Sequence, residues 1–396
     1  MDCHLMCRLR AVLCLGLALY AVSACAGGSD ATAVQRTDSA GVEIVVSSGS
    51  DRVLEWQFQR LFELGGSDDG PESFFTVRAD LIAADARGNL FVLDPQNARV
   101  VVFDANGQFL RTMGGSGGGP GELRAPGSIS VSSDGEVSVF DFGKGSLVRF
   151  DARGGVENEQ PFPLFPTPNL QRHFSRLRDT TLVSSSTSPM EPGDLIQSLR
   201  QIVGSDTSVL AQLRLPPVKI ATFEKCGVSM PLQQVFVPEL AWAAQPGIVA
   251  FGSSAEYSIS FTEAGSVTRI VRREIEPMPA SRELAMLQLG DGSPIEIRRS
   301  CFIDPAEMLD ERGYAETIPL IRTVFLGPSG ELWVQRFTVD RDAAAPIDVF
   351  DGSGAYVGTL VRESFSPVLL LPGGRVGVVE TDENDVQRLV VLSIQG

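Results

Sequence analysis

The chain has 396 residues, with 49 acidic side chains against 33 basic ones, and its formal net charge is −16. A surface this acidic repels phosphate backbones, which excludes nucleic acid as a partner. The length is enough for one large all-β domain and requires no second one.

At the N-terminus, Arg8 and Arg10 precede an apolar run over residues 11–22 that is too short for a stable bilayer span. Residues 1–24 therefore read as a signal peptide. The run ends in Val22-Ser23-Ala24-Cys25. This tetrapeptide resembles the lipobox of bacterial lipoproteins, which implies cleavage before Cys25 and acylation of that cysteine. Several acyl chains are needed for lasting attachment. Ala26 in place of Asp resembles the pattern that sends such lipoproteins to the outer membrane. The expected location is the periplasmic side of a bacterial membrane, touched through the lipid anchor alone. A soluble periplasmic or secreted protein, cut near Ala24 or Ala26, is the alternative.

Residues 25–42 are rich in Gly, Ser, Thr and Asp and read as a flexible tether. The leader carries Arg8, Arg10 and Asp2, so its loss takes the net charge to −17. It also removes Cys3, Cys7 and Cys14. Cys226 and Cys301 remain, an even pair in an oxidising compartment, and are expected to form a disulfide.

The domain proper, residues 43–396, opens on a repeat. Gly65-Gly66-Ser67-x-x-Gly70-Pro71 recurs as Gly114-Gly115-Ser116-x-x-Gly119-Pro120. Gly88, Asp94, Asp104 and Gly107 then reappear as Gly135, Asp141, Asp151 and Gly154, each 47 residues later. Short runs of β-branched and aromatic residues alternate with Gly, Asn and Asp turns, the pattern of four-stranded propeller blades. The junction Gly119-Pro120-Gly121-Glu122-Leu123, with Pro126, Asp134-Gly135, Asp141 and Phe150-Asp151, resembles the NHL-repeat family of six-bladed propellers. The likeness is strong over residues 65–155.

Later blades keep the cadence with less regularity. Runs at 177–184 and 199–213 predict a third blade, and runs at 241–251 and 257–270 a fourth. Runs at 323–334 and 356–361 predict a fifth. The sixth supplies only three strands, at 368–371, 376–379 and 389–393, before the chain stops. Residues 58–64 precede the first junction as 109–113 precede the second, so they form an outer strand with no blade of their own. Pairing of 58–64 with 389–393 would complete the last blade and close the ring. The expected fold is all-β, a six-bladed β-propeller closed by its N-terminal strand. A small helical insertion at 278–316 separates blades 4 and 5. It is marked by helical spacing up to Gly290 and by the capping sequence Asp304-Pro305-Ala306-Glu307. Such an insertion is expected to lie over one face of the ring.

The chemistry on offer is sparse. His173 alone survives the leader's loss, which excludes a multi-histidine zinc site. The one Gly-x-Ser-x-Gly spelling, Gly114 to Gly118, lies within the repeated blade junction. The glycine run at 114–121 lacks the Lys-Ser/Thr ending of a phosphate loop and leads into a strand. Asp94, Asp141 and Asp351 invite a calcium reading, since propellers resembling gluconolactonases hold a cation in the channel. Their equivalent turn positions favour bonds to nearby backbone N–H groups instead. Trp242 and Trp333 lie in strand runs and are expected to pack between blades. Polar residues entering inner strands are the candidate ligand contacts: Arg78, Asp80, Arg176 and Arg322. Arginine there suits the carboxylate or phosphate end of a ligand. The expectation is a monomeric, non-catalytic binding or scaffold module for a small ligand or a protein, with no catalytic residue, cofactor or metal assigned. A calcium-dependent lactonase or hydrolase at the channel is the alternative.

Overall fold

The structure is a computed structural model. It describes residues 33–396 apart from 67–69, 163–166, 169–173, 179–180, 190–194, 204–205, 216–218, 224–226, 264, 291, 299 and 341–342. The signal peptide, Cys25, His173 and Cys226 lie outside the described residues.

Blade 1 comprises strands Ile82–Ala84, Leu90–Asp94, Arg99–Phe103 and Phe109–Gly114, each antiparallel to the next. Blade 2 repeats it with Pro126–Val131, Val137–Asp141, Ser146–Phe150 and Val156–Pro161. The same aspartate closes the last hairpin of several blades. Asp104 accepts from the N–H groups of Asn106 and Gln108, at 2.9 and 2.8 Å. Asp151 and Asp351 make the same pair of bonds two and four residues on, and Asp382 makes it between the second and third strands of blade 6. The turn then needs positive φ three residues after the aspartate, which glycine adopts without strain. Gly107 has φ of 81° there, and a Cβ on it would lie 2.5 Å from the Phe62 ring.

Ring closure follows the expected pairing. Strand Gln57–Leu64 runs antiparallel to Gln387–Gln395, with Phe58 opposite Ile394 and Leu64 opposite Leu389. It completes blade 6 beside Ser366–Leu371 and Arg375–Thr381. Blade 5 comprises Ile321–Leu326, Leu332–Arg336, Ile347–Phe350 and Tyr356–Leu360.

Two regions differ from expectation. Blade 3 is built from Ser175–Arg178, Thr181–Pro189, Leu195–Val203 and Asp206–Leu215, with Thr167–Pro168 as a fifth strand. The predicted runs at 177–184 and 199–213 each span the end of one strand and the start of the next. These strands reach nine and ten residues and carry the serine run 184–186, so apolar spacing does not mark their ends. The tether expected over 25–42 also ends early. Ala33–Ser39 and Val42–Ser48 form a hairpin, turning through positive φ at Ala40 and Gly41. Its second strand runs parallel to Ser266–Arg273, the outer strand of blade 4. That blade, with Leu240–Gln245, Ile248–Ser253 and Ser258–Glu263, therefore has six strands. The alternating pattern Val42, Ile44 and Val46 was the available signal, weakened by its Ser, Thr and Asp neighbours.

Among the described residues an apolar cluster fills each of the six blade interfaces. Phe91 and Phe150 pack between blades 1 and 2, and Leu332 and Phe350 between blades 4 and 5. Burying such a side chain contributes about 1.5–3 kcal/mol, so these wedges dominate cohesion. Trp242 packs between blades 3 and 4, and Trp333 between blades 5 and 6.

The insertion forms a cap. Its helices are α1, Arg282–Leu289, and α2, Pro305–Arg312. Ser281 Oγ accepts from Leu284 N at 3.2 Å, and Asp304 Oδ1 from Ala306 N at 2.7 Å; both satisfy helix N-termini, the second as the sequence anticipates. A hairpin from the blade 3–4 connection, Lys219–Phe223 with Val228–Leu232, packs against α2. Cys301 begins the short strand Cys301–Ile303 within the cap; it is buried and disulfide-bonded.

Candidate ligand site at the channel mouth

The six inner strands surround a channel. Its lower chamber, about 340 Å³, takes lining residues from every blade, among them Ala84, Ser130, Arg176, Ala243, Leu326 and Leu369. The upper chamber is larger, about 910 Å³, and shares Ala79, Asp80 and Phe325 with the lower one. It opens on the face where inner strands begin. Arg78 and Asp80 precede the inner strand of blade 1, and Arg322 and Thr323 begin that of blade 5. The cap contributes Gln288 and Leu289 from α1, Arg312 from α2 and the connector residues 233–237.

Three of the four sequence candidates meet at this mouth. Arg78 and Asp80 form a two-point ion pair, Nε to Oδ1 at 2.9 Å and Nη2 to Oδ2 at 2.6 Å. The Asp80 side chain is 4% exposed and that of Arg78 is 54% exposed. The bond to Asp80 raises the Arg78 pKa, so this pair is mutually neutralised. Arg322 is exposed and makes no ion pair or side-chain hydrogen bond among the described residues. Arg176 does not reach the mouth. It lies in the lower chamber, buried, with Nη2 at 2.9 Å from Glu136 Oε2.

Two charged residues escaped the sequence reading. Arg312 Nε donates to the Gln233 carbonyl at 2.5 Å, and burial lowers its pKa. Glu239 is exposed to the cavity but flanked by protein, and burial raises its carboxyl pKa. Arg312 sits in the last turn of a helix whose sequence reads as an ordinary amphipathic end. Only the fold of the cap aims it at the channel.

A family profile described as a 6-bladed beta-propeller, DUF5128, matches residues 71–178. A candidate exported protein of Bacteroides fragilis is similar in structure at 13% identity, with a TM-score of 0.50, covering 89% of this chain and all of that one. The chain is a six-bladed propeller. A DUF4221 member from Bacteroides vulgatus matches at 9% identity and TM-score 0.47, over 87% of this propeller and 98% of that chain. A gluconolactonase of Xanthomonas campestris matches at 12% identity and TM-score 0.35, over 87% and 91%. No curated protein matches the sequence.

The propeller's turn aspartates are engaged locally. Asp141 accepts from the backbone N–H groups of Arg124, Ala125 and Lys144, at 2.7, 3.0 and 3.2 Å. Asp94 holds Asn97 and Arg99, and Asp351 holds Ser353 and Ala355. Among the described residues, no group of three or more His, Cys, Asp or Glu side chains converges as a metal site. Among the same residues, no helix is long and apolar enough to cross a membrane.

Proposed function

We propose that the protein is an exported binding module whose ligand enters the channel mouth with an anionic group toward Arg312 and Arg322. One observation carries this reading. Two arginines without a carboxylate partner among the described residues line one cavity of a chain whose net charge is −16. A guanidinium left open in a concave, partly desolvated site offers forked donors to an anion. The chamber's volume falls within the range of pockets that hold drug-sized ligands.

Export through the signal peptide, acylation at Cys25 and a Cys226–Cys301 disulfide belong to the same reading, as does an NHL-like origin of the repeats. The disulfide would tie the blade 3–4 connector to the cap that carries Arg312. The structural relative described as a candidate exported protein is consistent with this placement.

Calorimetric titration with a panel of carboxylates and phosphate monoesters tests the reading. Arg312→Ala and Arg322→Ala are expected to weaken a binding anion about tenfold each, the usual size for a lost charged hydrogen bond. Unchanged affinity in the double variant removes the reading. Stoichiometric calcium with chelator-sensitive lactone hydrolysis would replace it by the lactonase alternative. Palmitate labelling that persists in Cys25→Ala would overturn the anchor.

A further inference from the structure

Resting on that reading, we propose that the ligand is a short peptide or a peptide-like zwitterion. The mouth carries more than anion-binding groups. Gln234 and Gln335 line the chamber, and their side-chain amides have no hydrogen-bond partner among the described residues. Each presents a donor and an acceptor side by side, the complement of a peptide group. Gln233, on the connector, and Gln288, on α1, line it as well. Gln233 Nε2 and Gln288 Oε1 are shielded from water and unpartnered. Turning either amide toward a bound ligand relieves that burial penalty.

Charge sorts the ligand's ends. Arg312 and Arg322 suit a terminal carboxylate. Glu239, whose side chain has no partner among the described residues, suits a terminal ammonium in the same cavity. Val237 and Leu240, both half-buried, give aliphatic wall for side chains in the same cavity.

Other anion classes fit less well. An acyl chain would cover the glutamine amides without bonding them, which disfavours a fatty acid. Of the four rings lining the chamber, Phe236, Trp242 and Phe325 are each 5% exposed, and the half-buried Phe337 is packed edge-on with Phe236, leaving little ring face for a sugar to stack on.

The test compares trialanine and trileucine with decanoate, by calorimetry on the purified exported protein. A tripeptide is expected to bind about tenfold or more tighter than decanoate, with N-acetylation and C-amidation each weakening it several-fold. Gln234→Leu combined with Gln335→Leu should narrow the gap between tripeptide and decanoate, in a variant whose unfolding midpoint matches wild type. If that variant fails to fold as wild type, Glu239→Gln supplies the second readout: it should remove the penalty of N-acetylation. Decanoate binding as tightly as the tripeptides overturns the peptide class and leaves the anion reading standing. A phosphate ester binding where tripeptides do not has the same consequence. A gap unchanged in the glutamine variant overturns the assignment of amide recognition. Failure of every anionic probe overturns both proposals.

Discussion

Arginine is used in two opposite ways in this molecule. Between blades 4 and 5, Arg273 and Arg336 face Asp348 and Asp51, two cations against two anions. Arg273 Nη1 donates to Asp348 Oδ1 at 2.7 Å, and its Nη2 to Asp51 Oδ1 at 2.6 Å. Arg336 meets Asp348 at 2.8 and 2.7 Å, and Asp51 at 2.9 and 2.8 Å. Tyr257 Oη and Thr359 Oγ1 also donate to Asp348, at 2.5 and 2.6 Å, and the Arg273 guanidinium lies 3.9 Å from the centre of the Tyr356 ring. Asp348 is fully buried. At the channel mouth, by contrast, Arg312 and Arg322 lack carboxylate partners among the described residues and keep access to the cavity. The difference follows from desolvation. A charge sealed from water persists only when opposed and hydrogen-bonded, whereas one beside an open chamber can remain available to a ligand.

The largest expected effect of a substitution lies in the sealed cluster. Asp348→Asn leaves two guanidinium groups short of a buried partner and should cost about 3–5 kcal/mol in chemical denaturation. A loss below about 1 kcal/mol would show that the cluster is not sealed. Asp51→Asn should cost less, about 1 kcal/mol, because that side chain is 42% exposed. Its effect should also depend on pH. Bonds from Arg336 hold the Asp51 carboxyl below its ordinary value of 3.8, against the opposing pull of burial. The stability Asp51 contributes is therefore fully present above that value and lost as the pH falls through the lowered one. The wild-type and Asp51→Asn denaturation curves should converge in that acidic window.

Glu239 has the opposite sign. Its pKa is raised by burial, so its contribution is greatest below the ordinary carboxylate range and falls as pH rises through the raised value. Glu239→Gln should therefore unfold at slightly higher denaturant than wild type at neutral pH, and the advantage should vanish in acid. The smallest effect belongs to Arg322→Ala. With no partner to strand, it should change stability by no more than about 0.5 kcal/mol while weakening anion binding about tenfold. A large destabilisation would mean that Arg322 serves the fold and not a ligand.

Turn chemistry made much of the fold readable. Asp104 and Gly107, repeated as Asp151 and Gly154, encode a hairpin in a handful of adjacent residues, and the orphan run at 58–64 implied how the ring closes. Asp304 marked the start of α2 for the same reason: capping is a local bargain between neighbours in sequence. Blade 3 and the hairpin at 33–48 were harder to read. Blade 3 carries the serine run 184–186 within a nine-residue strand, which blurs its apolar spacing, and the hairpin is placed by pairing with a distant blade edge and not by local pattern.

The candidate site divides along the same line. Arg78, Asp80 and Arg322 could be named because each enters an inner strand, and strand position predicts which end of a channel a side chain approaches. Whether such a residue is free is another matter. Local order in the chain specifies strands, turns, caps and the sequence of blades, since those depend on backbone preferences over a few residues. Only the closed ring and its cap determine that Arg78 is neutralised, that Arg176 lies deeper against Glu136, and that Arg312 and Glu239 join the mouth. Those outcomes depend on which groups lose water together, and burial is a property of the assembled whole.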